Sequence, residues 1–195
     1  LRYQRDLGRS LFVAEGGENN FKRAVLALSP VVSGGTLLMA TEITRNDGPW
    51  LLDEELRKTN AVVKYSRGDR TDGFSITAAG YNGKWRSTDQ IPERAVDAGL
   101  LDRFGFVDPT DGGESHRYSL GAEWRHESGA WAYEANAYAV DYKLDLFSNF
   151  TYALDQENGD QFEQLDDRKI YGGRAGIARA FEIAGLEARL RFGTE

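Results

Sequence analysis

Apolar and polar residues alternate with a period of two along most of the chain. Between Arg117 and His126, Tyr118, Leu120, Ala122 and Trp124 fall on one side. Arg117, Ser119, Glu123 and Arg125 fall on the other. Leu186, Ala188, Leu190 and Phe192 repeat the pattern against Glu187, Arg189 and Arg191, and Phe74, Ile76 and Ala78 alternate with Ser75, Thr77 and Ala79. Successive side chains of an extended strand point to opposite sides, so this period predicts strands with one apolar and one polar face. The predicted strands are residues 9–16, 20–29, 35–45, 59–67, 73–86, 116–126, 130–148, 169–181 and 186–194. Helical spacing is confined to a single turn at Asp53–Lys58 and a short stretch at Pro92–Leu101.

Two kinds of connection alternate between these strands. Short ones lie at 29–35, 66–72, 127–129 and 182–185; long or charged ones lie at 46–58, 87–115 and 149–168. Short turns at one end and long loops at the other are the pattern of an outer-membrane barrel, with turns in the periplasm and loops outside. A soluble β-sandwich has no reason to sort its loops by length. The expectation is an all-β fold, an antiparallel transmembrane β-barrel segment of about nine strands. Complete bacterial barrels have even strand numbers, and an open edge in lipid leaves backbone groups unpaired. The 195 residues are therefore expected to be one part of a single larger barrel domain.

Composition narrows the function. With 24 basic and 31 acidic residues the net charge is −7, which argues against a nucleic-acid partner, since that needs a basic stripe. The absence of cysteine removes disulfides, thiolate metal sites and cysteine nucleophiles. Two histidines, His116 and His126, are too few for a histidine-rich metal centre. No apolar run approaches the roughly 20 residues of a spanning helix, a test that a barrel does not need to pass. Glycine is frequent at 22 residues and proline scarce at 4, while 18 of the 24 basic residues are arginine. Aromatics make up 12% of the chain, and Tyr and Trp suit a membrane–water interface.

Several stretches resemble TonB-dependent outer-membrane receptors. Asn46-Asp47-Gly48-Pro49-Trp50 followed by Arg57-Lys58-Thr59-Asn60 is similar to a first large loop and its following strand. Tyr81 to Trp85, Asp89-Gln90-Ile91-Pro92 and Arg94-Ala95-Val96 resemble a later loop, as does Asp108-Pro109-Thr110-Asp111-Gly112-Gly113. The fullest match runs from Asp145-Leu146-Phe147-Ser148-Asn149-Phe150-Thr151-Tyr152 to Gly159-Asp160-Gln161-Phe162-Glu163-Gln164. The resemblance rests on the ordered set, which covers nearly the whole chain. It implies a 22-stranded barrel closed by a plug. It also implies active uptake of a scarce solute, such as an iron chelate, energised through TonB. The plug, the TonB-contacting segment and the aromatic-terminated last strand are not found in these residues. The chain is thus expected to supply the early-to-middle part of the barrel, with outer-membrane lipid around it and TonB reached through a plug elsewhere. Localisation in a bacterial outer membrane follows.

Candidate chemistry is sparse. Ser115, His116 and Glu114 are sequence neighbours, which makes no catalytic triad, and neither a catalytic residue nor a bound cofactor or metal is expected. The acidic groups Asp108, Asp111, Glu114 and Asp155, Glu157, Asp160, Glu163, Asp166, Asp167 offer calcium-type oxygens, though solvated loop charge explains them better. Arg117, Arg125, Arg189 and Arg191 share the polar phase and are expected to pair with Glu123, Glu187 and plug carboxylates. Among the aromatics, Trp124 and Trp131 flank a short turn and read as interfacial girdle. The ligand-contact candidates are Trp85, Phe150, Tyr152, Asp155 and Glu163. Two other readings are carried alongside: a small passive porin or adhesin-like barrel, and a soluble β-sandwich binding module.

Overall fold

Each predicted strand is present, and all of them belong to one sheet. The computed structural model describes residues 4–149, 157 and 159–195. Its elements are β1 (Leu11–Gly16), β2 (Lys22–Leu28), β3 (Val31–Val32), β4 (Gly35–Asn46), β5 (Leu56–Gly68), β6 (Gly73–Arg86), α1 (Glu93–Asp97), β7 (Gly112–Ser128), β8 (Trp131–Ser148), β9 (Phe162–Ile183) and β10 (Leu186–Thr194). The strands form one antiparallel sheet in the order β1-β2-β4-β5-β6-β7-β8-β9-β10, with the two-residue β3 paired only to the start of β4. Each long strand therefore lies beside its neighbours in the chain, a meander built from hairpins. Among the described residues the sheet is open, because β1 and β10 have one partner each.

The strands run longer than the apolar alternation indicates. β9 begins at Phe162 rather than 169, and β7 spans Gly112–Ser128 rather than 116–126. The added segments pair residue for residue, Gly112–Ser115 with Leu144–Phe147 and Phe162–Arg168 with Tyr142–Ser148. Apart from Phe162 and Leu165, which fall on opposite faces, they are polar or glycine, so only the backbone ladder marks them as strand. The long connections shrink accordingly to 47–55, 87–111 and 149–161. The helical turn expected at Asp53–Lys58 does not form. Leu56–Lys58 instead pair with Thr44–Asn46, and a continuing ladder outweighs a single isolated helical turn. The second helical stretch does appear, as the five residues of α1.

The register fixes which residues share a face, because directly opposed residues point the same way. Phe12, Leu26, Thr41, Ala61, Gly80 and Tyr118 form one row across six strands. Leu28, Met39, Val63, Ala78, Leu120, Ala139 and Tyr171 form the next. This apolar face is the exposed one: Leu120 is 55% accessible, Tyr171 72% and Phe192 63%. The buried strand side chains lie on the opposite face. They are Ala27, Leu38, Val140 and Ala178, together with Thr44, Lys64, Ser66, Ser75 and Ser148. The molecule thus inverts the usual arrangement of a soluble sheet, where the apolar face is the sheltered one. All strands of the described residues lie in this sheet, so they provide no second sheet for the apolar face to pack against.

The sheltered face is concave. A single cleft of about 810 Å³ is lined by Val25 of β2, Glu42 of β4, Lys64 of β5, Tyr81 of β6, Arg117 of β7 and Val140 of β8. In a flat sheet β2 and β8 would stand about 24 Å apart, five strand spacings. Only a sheet curled about this face brings them around one space.

The apolar stripe on the convex face is also oblique to the hydrogen bonds. On β2 it comprises Ala24, Leu26 and Leu28; on β6 and β7 it shifts to Ala78, Ile76, Phe74 and Leu120, Ala122, Trp124. On β9 and β10 it reaches Ile177, Phe181, Ile183 and Phe192, Leu190, Leu186, near the short turns. A level apolar band crossing tilted strands has to migrate along the register in this way.

Candidate binding surface: the concave wall and its loop crown

The long connections meet at one end of the sheet and are tied together there. Leu51 N–H donates to the Phe104 carbonyl at 3.0 Å, and the Trp50 and Phe104 rings lie 6.1 Å apart. Trp50 Nε1 donates to Glu54 Oε1 at 2.6 Å, and Arg86 N–H donates to the Glu54 carbonyl at 2.7 Å. The Leu51 and Trp50 contacts with Phe104 join connection 47–55 to connection 87–111, and Glu54 ties the first of them to the end of β6.

A polar knot joins 87–111 to 149–161. Asn149 is fully buried. Its Nδ2 donates to Asp108 Oδ2 at 2.8 Å, and its Oδ1 accepts the Asp160 N–H at 3.1 Å. Gln161 Nε2 donates to Thr110 Oγ1 at 2.8 Å and to Asp111 Oδ1 at 3.1 Å. Two carboxylates of this knot are pushed in opposite directions. Burial raises the pKa of Asp111, which is 2% exposed, and the charges of Asp108 and Asp89 raise it further, against hydrogen bonds from Gln161 and the Asn149 backbone. Burial works against Asp108 too, but hydrogen bonds from the Thr110 hydroxyl, Asn149 and the Thr110 N–H outweigh it and lower its pKa.

Beneath the crown, the concave wall carries a mixed set of charges. Arg23 reaches Glu15 at 2.8 Å and Glu42 at 3.0 Å, and Lys58 reaches Glu42 at 3.5 Å. Farther along, Arg191 pairs with Glu134 at 2.6 Å. The arginines expected to pair with Glu123 and Glu187 do not do so: Arg191 takes Glu134, and Arg117, Arg125 and Arg189 have no ion pair among the described residues. The reason is register, since Glu187 of β10 stands opposite Glu182 and not opposite an arginine.

Of the sequence-predicted contact residues, the two that are described, Trp85 and Glu163, stand on opposite faces of the sheet. Trp85 ends β6 on the concave face, with its ring beside Gly113, where a Cβ would stand 3.2 Å from Trp85 Cζ2. Glu163 pairs with Phe147 on the convex face, so it points away from Trp85. Phe150, Tyr152 and Asp155 lie outside the described residues. The remaining aromatics sort by phase. Tyr118, Trp124, Trp131, Tyr133 and Phe147 stand on the convex face, whereas Tyr142 stands on the concave one. Trp124 and Tyr133 lie 6.5 Å apart, Tyr65 and Phe74 lie 5.8 Å apart, and Arg179 covers the Trp131 ring at 5.1 Å. Together they border the apolar stripe near the short turns. Among the described residues no three acidic or histidine side chains converge as a metal site requires.

Sequence reasoning missed Asn149, Gln161, Tyr81 and Tyr138. Tyr81 and Tyr138 occupy the polar phase of β6 and β8, so their alternation was readable. Asn149 and Gln161 meet Asp108 across the fold, and no local signal announces that. The chain matches no family model, no curated protein and no solved structure.

Proposed function

We propose that this chain forms part of the wall of an outer-membrane barrel that takes up a scarce solute. The observation that carries the reading is the inverted polarity of the sheet. The convex face is apolar and exposed, bordered by Tyr and Trp, while the concave face is polar and sheltered. Lipid satisfies the first face and a solvated or filled lumen the second. The oblique stripe adds the tilt that a barrel wall needs.

The crown supports a receptor rather than a simple pore. Long loops tied to one another at one end of the wall present a shaped surface there, which suits capture of a solute. With the resemblance to TonB-dependent receptors, this makes energised uptake of a solute such as an iron chelate the preferred activity. Loops 47–55, 87–111 and 149–161, with Trp85 below them, would capture the solute, and a plug outside this chain would gate it. The test is uptake of a panel of labelled ferric chelates by cells expressing the native protein. Uptake that stops when a protonophore collapses the inner-membrane gradient supports the reading. Uptake that continues unchanged identifies a passive pore.

A further inference from the structure

Four cations stand in a row on the convex face. Lys22 of β2 is directly opposed to Arg45 of β4, Arg45 to Arg57 of β5, and Arg57 to Lys84 of β6. Arg86, two residues beyond Lys84, points the same way, and all five are exposed. The row spans about 14 Å, three strand spacings. Like charges directly opposed across a sheet repel, so this arrangement costs stability unless an anion lies along it.

The row is poorly neutralised from within. Lys84 reaches Glu114 at 3.6 Å and Arg86 reaches Glu55 at 3.3 Å, both at one end. Lys22 donates to the Asn20 side chain at 2.7 Å. Among the described residues no carboxylate pairs with Lys22, Arg45 or Arg57. This occurs in a chain with an excess of acids. The same border on β7 to β9 is mixed in sign, with Glu114, His116, Asp141, Lys143, Asp167 and Lys169. Position completes the pattern: one side-chain step toward the short turns, Ala24 and Ile43 begin the apolar stripe beside Lys22 and Arg45, while beside Arg57 and Lys84 it follows after Thr59 and Asn82, at Ala61 and Gly80. A surface that is apolar below and cationic above matches a lipid with tail below and phosphate above.

We propose that this row binds the phosphate groups of anionic lipid headgroups, an inference that rests on the membrane reading above. The test uses the native protein in zwitterionic micelles doped with phosphatidylglycerol or phosphatidylcholine, with retained lipids counted by native mass spectrometry. Phosphatidylglycerol should be retained at least tenfold better than phosphatidylcholine. Arg45→Gln with Arg57→Gln should lose most of that preference, at roughly fivefold per cation. Lys22→Gln with Lys84→Gln should reproduce the loss, and Arg70→Gln, in the turn at the opposite end, should not. Equal retention of the two lipids, or a preference that survives both double variants, overturns the proposal. Complete displacement by millimolar inorganic phosphate also overturns it, by showing a site for free anion. Insertion into vesicles, read by trypsin resistance, separates the two levels. Inserted protein without lipid preference defeats this inference alone, and protein that never inserts defeats the membrane reading with it.

Discussion

Tyr138 lies across Gly172 on the concave wall, where any Cβ at Gly172 would stand 2.5 Å from the tyrosine ring. Tyr65 covers Gly35 in the same manner on the convex face, where a Cβ at Gly35 would stand 2.7 Å from the tyrosine hydroxyl. Such pairs give the glycine-rich strands a packing partner and explain why glycine and tyrosine are abundant together. At this scale charge gives two opposed predictions. Asp69, in the turn between β5 and β6, is held down from 3.8 to about 2 by the Asp72 N–H first, then by the Thr71 hydroxyl and N–H. Its contribution to stability is complete above about pH 4 and is lost as pH falls through about 2. Asp69→Asn should therefore lower the urea midpoint at pH 7, with a difference from wild type that shrinks below pH 4 and closes below pH 2; a difference independent of pH would refute this. Asp111 has the opposite sign, because its pKa is raised by burial. Its favourable contribution is present below its ordinary value and is lost as pH rises through the raised one. Asp111→Asn should stabilise the protein at pH 7 and leave it unchanged at pH 3. The proposed lipid contact gives a third test. Leu120→Arg should impair membrane assembly by about 2–4 kcal/mol, while Ser119→Arg, one residue away on the concave face, should be tolerated. Equal assembly yields would contradict the assigned faces.

At the scale of elements, the strand cores were legible in the sequence and the strand ends were not. The Tyr118–Trp124 alternation places β7 because one face meets a different environment from the other. Phe162–Arg168 and Gly112–Ser115 carry no such contrast, so they are strand by hydrogen bonding alone. β3 is two residues long and leaves no pattern to read. The phase of Trp85 was readable, and so was that of Tyr81 and Tyr138. Glu163 was misplaced because it was taken for a loop residue, and the unexpected extension of β9 puts it on the convex face. The crown depends on Asn149, whose partners are 41 and 11 residues away in the chain. Asn149→Ala leaves Asp108 and the Asp160 N–H without this partner, at a cost of about 1–3 kcal/mol. Amide exchange in 87–111 and 159–161 should accelerate together, with the β5–β6 ladder unaffected. Acceleration confined to one loop would show that Asn149 does not couple them.

At the scale of the molecule, one curled sheet must satisfy three surroundings. The convex stripe needs an apolar medium, the concave wall tolerates water or a polar filling, and the edges β1 and β10 need partners. The proposed membrane barrel would supply all three, and it also gives the oblique path and aromatic border a cause. The most direct measurement is a spin-label scan of β7 in lipid vesicles, made with one introduced thiol at a time, since these 195 residues contain no cysteine to compete for the label. Labels placed singly at 117 to 123 should alternate. Collision with oxygen, which concentrates in hydrocarbon, should peak at 118, 120 and 122, and collision with a water-soluble nickel chelate should peak at 117, 119, 121 and 123. Seven labels with the same accessibility to both reagents would contradict a lipid-facing wall.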